Sequence, residues 1–292
     1  MVTVHNFSNG LLNPALGYAM SCVGSFLGLR CVTLARPYHG IARARWLGLA
    51  AVSIGATGIW AMHFIAMLGF SIPGQQILYN VPMTIASMLV AVAVVGVGLF
   101  IVGFGTGARW RLLAGGAIIG VGVAAMHYLG MAAMSMPDSM SYNASLVVVS
   151  VLIAIVAGTA ALWAGTRVAT LPATIGAALI MGVAISGMHY TGMAALHIER
   201  APMPSMAVAA VSGVSTVSGT TAAVFLIPLL LVISVATFAV TLTISMSPGE
   251  EELAADAELQ RRIEYLQQRP AWGQVSSVPD SAPPWPVPEE RF

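Results

Sequence analysis

Three short motifs in the sequence combine histidine with methionine, two residues whose side chains bind metal ions. They read Met62-His63-Phe64-Ile65-Ala66-Met67, Met126-His127-Tyr128-Leu129-Gly130-Met131 and Met188-His189-Tyr190-Thr191-Gly192-Met193. In each motif a methionine precedes the histidine, an aromatic residue follows it, and a second methionine comes four residues later. The histidines are 64 and then 62 residues apart, which indicates a threefold internal repeat whose unit is long enough for two membrane-crossing helices.

On a helix, a histidine and the methionine four residues later lie on the same face, and the preceding methionine flanks them. Small residues on that face, three after and seven before each histidine, allow another helix to come close. They are Ala66, Gly130 and Gly192 after the histidines, and Ala56, Gly120 and Gly182 before them. We therefore expect the histidine faces to point at protein and not at lipid.

Imidazole and thioether groups without a carboxylate or thiolate form a ligand set for a soft or borderline metal ion. Copper fits best, because thioether favours Cu(I) and imidazole suits either oxidation state. Zinc on three histidines would leave the methionines unexplained, and haem with His or His/Met axial ligands uses the same residues. A single membrane histidine is often a hydrogen-bonded packing residue, and methionine often fills cores, but the repeated spacing favours ligation. The predicted ligands are His63, His127, His189, Met67, Met131, Met193, Met62, Met126 and Met188.

The composition is that of an integral membrane protein. The chain is 58% hydrophobic and 8% charged, with a mean hydropathy of +0.85. Apolar stretches long enough to span a bilayer occupy residues 13–35, 46–70, 81–103, 112–134, 145–166, 173–196 and 220–246. The predicted fold is all-α, with seven transmembrane helices built as three two-helix repeats plus a seventh helix.

Basic residues are concentrated in the loops after the first, third and fifth apolar stretches. These loops hold Arg36, Arg43, Arg45, Arg109, Arg111 and Arg167, whereas the alternate loops hold Arg200. By the positive-inside rule the first set faces the cytoplasm, which places the N-terminus outside and the C-terminus inside. All three histidines would then lie near the outer face.

The chain divides into three parts. Residues 10–200 contain the repeats, residues 201–246 form an outer loop and the seventh transmembrane helix, and residues 247–292 form a short cytoplasmic tail. The tail is predicted to be partly helical and then disordered beyond Pro270, where Pro and Ser are frequent. It is too short for a catalytic domain, so no enzymatic activity is expected.

At its motifs the chain resembles the MHYT family of bacterial integral membrane sensor domains. The family motif is intact at Met188-His189-Tyr190-Thr191, and the resemblance extends over residues 10–200, with departures at Phe64-Ile65 and Leu129. It implies a plasma-membrane sensor of oxygen, carbon monoxide or nitric oxide, with copper held by Met, His and Pro near the outer face. Carried over by position, it adds Pro73 and Pro137 to the ligand candidates. In the third copy, His197 stands where the first two copies have serine.

The resemblance also bears on partners. Family members often continue into domains that make or break down cyclic di-GMP, so we expect this chain to signal through a separate cytoplasmic partner. The predicted partners are the lipid bilayer and a diatomic gas, with no nucleic acid, and homo-oligomerisation is left open. The alternatives are a copper-handling or haem-binding membrane protein, or a membrane metalloenzyme, which would need a general acid or base beside the metal.

Overall fold

The structure, a computed structural model, contains seven long apolar helices. It describes residues 4–73, 77–105, 108–136, 139–168, 170–199, 220–246, 258–259 and 261–263. The helices are α1 (Leu12–Ala35), α2 (Gly40–Met67), α3 (Val81–Gly103), α4 (Arg109–Ala132), α5 (Ala144–Arg167), α6 (Leu171–Ala194) and α7 (Ala222–Ser245). Their length and apolar composition are those of membrane spans, so the predicted all-α membrane fold is confirmed.

Six of these helices form a closed ring. Each of α1 to α6 packs against the helix before it and the helix after it in the chain, and α6 packs back against α1. The motif helices α2, α4 and α6 therefore alternate with the other three around the ring. Helix α7 lies outside the ring, against α1 and α2.

Glycines bring the helix backbones into direct contact within the ring. Gly24 of α1 faces the backbone nitrogen of Gly58 of α2, and Gly120 of α4 faces the backbone of Ile155 of α5. A β-carbon at Gly24 or Gly120 would overlap these backbone atoms, which cannot move aside as a flexible side chain could. Close backbone approach at small residues is how membrane helices gain packing contacts in the absence of water.

Helix α2 changes its hydrogen-bonding pattern along its length. It is α-helical over Gly40–Val52, π-helical over Ser53–Ala61, and α-helical again over Met62–Met67. A π-helical segment accommodates an additional residue within an otherwise regular helix. This segment immediately precedes the first motif.

The additional residue changes the number of positions from the glycine that contacts a neighbouring helix to the histidine of the same helix. Gly120 in α4 and Gly182 in α6, which both pack on a neighbouring helix, precede their histidines by seven residues. In α2 the close contact is made by Gly55, where a β-carbon would lie 2.8 Å from the Cα atom of Val92 in α3. Gly55 is eight residues before its histidine, one earlier than the predicted Ala56.

At the end of the helices that carries the histidines, the three repeats are fastened in the same way. The backbone N–H at the start of each helix pair donates to a carbonyl at the end of that pair. The bonds run from Ser8 to Gly69 (2.9 Å), from Asn80 to Ala133 (2.8 Å) and from Asn143 to Ala195 (2.9 Å). The three repeats therefore share this backbone hydrogen bond.

Short strands extend these connections. The strands are β1 (Leu78–Tyr79), β2 (Met134–Ser135), β3 (Ser139–Tyr142), β4 (Leu196–Glu199) and β5 (Thr220–Thr221). Strand β1 pairs with β2 and β5, β3 pairs with β4, and all of these pairings are antiparallel. An isolated bridge between His5 and Ser71 gives the first repeat a similar pairing.

Helix α7 contacts the ring along one stripe. Leu226, Ile233 and Val240, spaced by seven residues, are buried, and most of the other described side chains of α7 are exposed. The Thr237 hydroxyl lies 2.8 Å from the hydroxyl of Thr57, which belongs to the π-helical segment of α2. Helix α7 thus contacts the helix that carries the first motif.

Residues 246–292 form a separate unit. Within its described part, Glu258 forms an ion pair with Arg262 at 3.4 Å, one helical turn along the chain. The prediction that the tail becomes disordered beyond Pro270 falls outside the described residues, as does the predicted outer loop over 201–219.

Candidate metal centre

The histidines of the three motifs meet at the centre of the ring. His63, His127 and His189 are almost fully buried, with exposures of 1%, 1% and 2%. One ring nitrogen from each lies within 4.8 Å of those of the other two, and the ring centroids are 4.9 to 5.1 Å apart. This group, which we call the histidine cluster, contains no carboxylate or thiolate among the residues that the structure describes.

The nitrogens of the histidine cluster are close enough for one metal ion. The Nδ1 atom of His63 lies 3.0 Å from Nδ1 of His189 and 3.1 Å from Nδ1 of His127. Two imidazole nitrogens that bind the same tetrahedral ion at about 2.0–2.1 Å are about 3.3 Å apart. The observed spacing is therefore close to that of a shared coordination sphere.

Hydrogen bonding alone satisfies this arrangement poorly. A neutral imidazole nitrogen carries either one hydrogen or one lone pair, so Nδ1 of His63 can complete one of its two short contacts as a full hydrogen bond. The other contact then brings two nitrogens together without a dedicated proton. A cation between the rings would instead accept a lone pair from each histidine, and so the donor set fits a metal ion.

The opposite ring nitrogens pack against glycine. The Nε2 atoms of His63 and His127 are buried and have no hydrogen-bond partner within the described ranges. A β-carbon at Gly130 would lie 2.6 Å from Nε2 of His63, and Gly192 makes the same approach to Nε2 of His127. The glycine three residues after one histidine therefore leaves room for the histidine of the preceding repeat.

A layer of aromatic rings packs against the histidine cluster. The aromatic residue after each histidine makes an edge-on contact with that histidine's ring, at centroid distances of 4.7 to 5.0 Å. Each also contacts an aromatic residue at the start of another repeat. The pairs are Phe64 with Tyr79 (6.0 Å), Tyr128 with Tyr142 (5.5 Å) and Tyr190 with Phe7 (5.7 Å).

Sequence reasoning did not find this aromatic layer. A signal was present, because Tyr79 and Tyr142 follow their partners by 15 and 14 residues in two successive repeats. Burial raises the pKa of the phenol groups of Tyr79 and Tyr142, so both stay neutral at physiological pH. These two rings therefore add apolar cover and no compensating charge.

All six motif methionines are buried, with exposures of 4% or less. Met62 packs towards α1, with its sulfur 3.9 Å from the position that a β-carbon on Gly17 would take. Met188 lines a cavity within the ring of helices. Met67, Met131 and Met193 follow their histidines by one turn on the same helix face. Coordination by methionine stays a prediction.

The additional ligand candidates are Pro73, Pro137 and His197. Pro73 is exposed in a turn, and Pro137 is outside the described residues. His197 lies in β4, with its Nδ1 atom 3.0 Å from the carbonyl oxygen of Ala195, and it does not belong to the group of histidines that converge.

The fold and the site define a multi-pass membrane protein in which three repeats enclose a buried triad of histidines. The sequence profile of MHYT, described as the bacterial signalling protein N-terminal repeat, matches residues 57–116 and 120–178. The chain belongs to the MHYT family. The third motif lies beyond the second matched segment, yet its histidine occupies the same position in the ring as the other two.

Similar proteins are known in several bacteria. The chain is 39% identical over 220 residues to the bifunctional diguanylate cyclase/cyclic di-GMP phosphodiesterase MucR of Pseudomonas aeruginosa, covering 74% of this chain and 30% of MucR. It is 38% identical over 189 residues to the cyclic di-GMP phosphodiesterase NbdA of the same organism, covering 62% of this chain and 24% of NbdA. The chain thus matches less than a third of the length of either relative. No solved structure is significantly similar to it.

A signalling protein YkoW of Bacillus subtilis is 30% identical over 196 residues, which cover 64% of this chain and 24% of that protein. All of these relatives are named for signalling or for cyclic di-GMP turnover. Together with the MHYT repeats, they identify the chain as a membrane sensor protein of bacterial signalling.

Proposed function

We propose that the chain is a sensor that holds one copper ion in the histidine cluster and responds to a diatomic gas or to redox state. The observation that carries the proposal is the convergence of three buried imidazoles, with Nδ1 atoms 3.0 and 3.1 Å apart, at the centre of a helical ring. Buried ionisable groups in membrane helices are costly and commonly mark functional sites.

Copper is favoured by the ligands available at this depth. His63, His127 and His189 would supply three nitrogens, and the methionine one turn after each histidine could add a thioether. Thioether and imidazole ligands together suit copper better than zinc, magnesium or calcium. Haem is less favoured, because rings with centroids 4.9 to 5.1 Å apart leave space between them for an ion but not for a porphyrin.

Bound copper would supply a redox couple and a coordination position for oxygen, carbon monoxide or nitric oxide. The protein's own residues hold the ligands in place and exclude water. Phe64, Tyr128 and Tyr190 cover the outer side of the histidine cluster, while Gly130 and Gly192 admit the rings of the preceding repeats. A change in the ligands of the ion would then alter how tightly the three motif helices are drawn together.

The route out of the site would pass through α2. His63 lies two residues after the end of the π-helical segment Ser53–Ala61, and Thr57 in that segment contacts Thr237 of α7. Because π-helical turns are less regular than α-helical ones, this segment is the part of the ring best suited to change length when His63 moves. Helix α7 would carry that change towards the C-terminal residues.

The proposal also includes the orientation of the protein in the membrane and the signalling partner on which it acts. The N-terminus would lie outside the bacterial plasma membrane and the C-terminus in the cytoplasm, with the arginine-rich loops inside. MucR and NbdA are named for making or degrading cyclic di-GMP. We infer that this chain acts on such a cytoplasmic signalling partner or domain and performs no catalysis within residues 4–245.

Metal analysis tests the proposal directly. We expect protein purified from bacterial membranes to contain about one copper per chain, and the variant His127→Gln to lose it. His39→Gln is the matched control, because His39 is an exposed residue at the start of α2. Exposure to carbon monoxide or nitric oxide should change the optical or electron paramagnetic spectrum of the wild type and of the control. Copper below a tenth of an equivalent, or copper content that is the same in His127→Gln, would contradict the proposal.

A further inference from the structure

The ring of helices contains a cavity, partly open to its surroundings, on the inner side of the histidine cluster. All six ring helices contribute to its lining, and its volume is about 50 Å³. Ile59, Val123 and Ile185, each four residues before a motif histidine, line it together with Met188. The cavity therefore begins about one helical turn from the three imidazoles.

The lining of this axial cavity consists of aliphatic groups, a few glycines and thioethers. A buried water molecule needs two to four polar partners, so such a surface disfavours water and favours small apolar molecules. Its volume exceeds the roughly 10–15 Å³ that one water needs and is far too small for a lipid acyl chain. A diatomic gas or a xenon atom satisfies both conditions.

A more polar cavity adjoins it on the side away from the histidines. Val32, Leu99, Leu162 and Gly165 line both cavities, and the second one is also lined by Arg36 and Arg43. Charged groups thus stand at the inner end of the ring, whereas the space next to the histidines is apolar. An ion would be disfavoured in the axial cavity, and a gas dissolved in the lipid phase would not.

We propose that the axial cavity is a binding site for one diatomic or similarly small apolar molecule, held beside the histidine cluster. The site concentrates the gas next to the ion, and in this biological role the inference rests on the proposed function. The binding itself is a property of the cavity and does not depend on the metal.

Xenon is the probe, and the methyl groups of isoleucine are the readout. Metal-free full-length protein, treated with a chelator and reconstituted in lipid nanodiscs, is labelled at the isoleucine δ-methyl carbons and titrated with xenon pressure. We expect the signals of Ile59 and Ile185 to shift and saturate. Ile180, which is 70% exposed on the lipid-facing side of α6, should shift linearly without saturation.

Filling the cavity supplies the decisive variants. Ala157→Leu on α5 and Ala184→Leu on α6 place extra volume in the cavity lining, and Ala160→Leu adds the same volume at an exposed position of α5. Each filling variant should weaken xenon binding at least fivefold, and Ala160→Leu should leave it unchanged. Val123→Ala enlarges the cavity and should strengthen binding, so a filling variant that fails to fold does not prevent the test.

Two results would overturn the inference. One is a linear response at Ile59 and Ile185 that matches Ile180, and the other is saturation that persists unchanged in both filling variants. Because the titration uses metal-free protein, absence of copper in the purified chain would contradict the proposed function while leaving this result intact. The xenon titration therefore tests the cavity, and the copper content separately tests the proposed function.

Discussion

Gly130 of α4 lies directly against the Nε2 atom of His63 on α2. A β-carbon at residue 130 would be 2.6 Å from that nitrogen, a distance that real β-carbons essentially never show. His63 is 1% exposed and is held on its other side by the two remaining histidines, so the ring cannot simply swing away. Gly130, and Gly192 in the same way, therefore limit where the histidine of the preceding repeat can lie.

Gly130→Ala should displace the ring of His63 and weaken the histidine cluster. The expected cost is about 1–3 kcal/mol of stability, as for other additions of a methyl group to a packed core, with loss of bound copper. The measurements are thermal unfolding in detergent and metal content of the purified protein.

Gly187→Ala is the control for this substitution. Gly187 lies on α6, two residues before His189, and a β-carbon there would have no neighbour within 4 Å. Alanine is the better helix former, so this variant should be unchanged or more stable by about 0.4–1 kcal/mol. Equal loss of copper in both variants would show that the contact between Gly130 and His63 is not what matters.

Removal of the metal should destabilise the ring. An ion that binds the folded state stabilises it by about 2.7 kcal/mol at a hundred times its Kd, and a chelator removes that contribution. We expect the Tm of the wild-type protein to fall on chelation and to recover when copper is added. A variant with His63, His127 and His189 all changed to Gln should show neither effect, and a Tm of the wild type that ignores the chelator would refute this expectation.

The π-helical segment leads to a prediction about deletions. Deleting Ala56 should convert Ser53–Ala61 into a regular α-helix. It would also shorten the spacing from Gly55 to His63 from eight positions to seven, which is the spacing found in α4 and α6. The histidine should keep its direction, so copper content should remain near that of the wild type. If α7 reads the π-helical segment, the response to gas or redox state should be reduced.

Deleting Val121 provides the comparison, because α4 has no extra residue to lose. The deletion should rotate His127 by about 100° about the helix axis and abolish copper binding. The two deletions remove one residue each from equivalent places, and metal analysis separates them. If both keep copper, or both lose it, the compensating role of the π-helical turn is wrong.

The sequence was sufficient for the helices and for the convergence of the histidines, because both follow from periodicity. Seven apolar stretches matched seven helices, and a motif repeated at 64 and 62 residues had to recur at equivalent places in the ring. The π-helical segment could not be predicted, since its Gly, Ala, Thr and Ile residues also occur in regular helices such as α6. The prediction of close packing at Ala56 was therefore displaced by one residue to Gly55.

The strands near the histidine end of the ring were also beyond the sequence. Only helices are predicted there from the sequence, and the structure shows antiparallel pairings such as Leu78 with Ser135. These pairings join segments that flank different helices, and strands of two to four residues leave no recognisable alternation of polar and apolar side chains. Three further points stay predictions: the identity of the metal, the role of the methionines and the direction of insertion. None of them is a property of backbone geometry.

At the end of the ring opposite the histidines, the Nη2 atom of Arg36 donates hydrogen bonds to the carbonyl oxygens of Gly165 (2.8 Å) and Val168 (2.7 Å). These bonds join the end of α1 to the end of α5, where helix carbonyls have no partner within their own helix. Arg36→Met keeps an unbranched apolar stem and removes the donors, so we expect a loss of about 1.5–3 kcal/mol in thermal unfolding. Arg36→Lys should lose less, and Arg45→Met, at an exposed position of α2, should change stability by under about 0.5 kcal/mol. Copper content should survive in Arg36→Met, because the histidine cluster lies at the opposite end of the helices. A variant as stable as the wild type would show that the ring closes without this arginine.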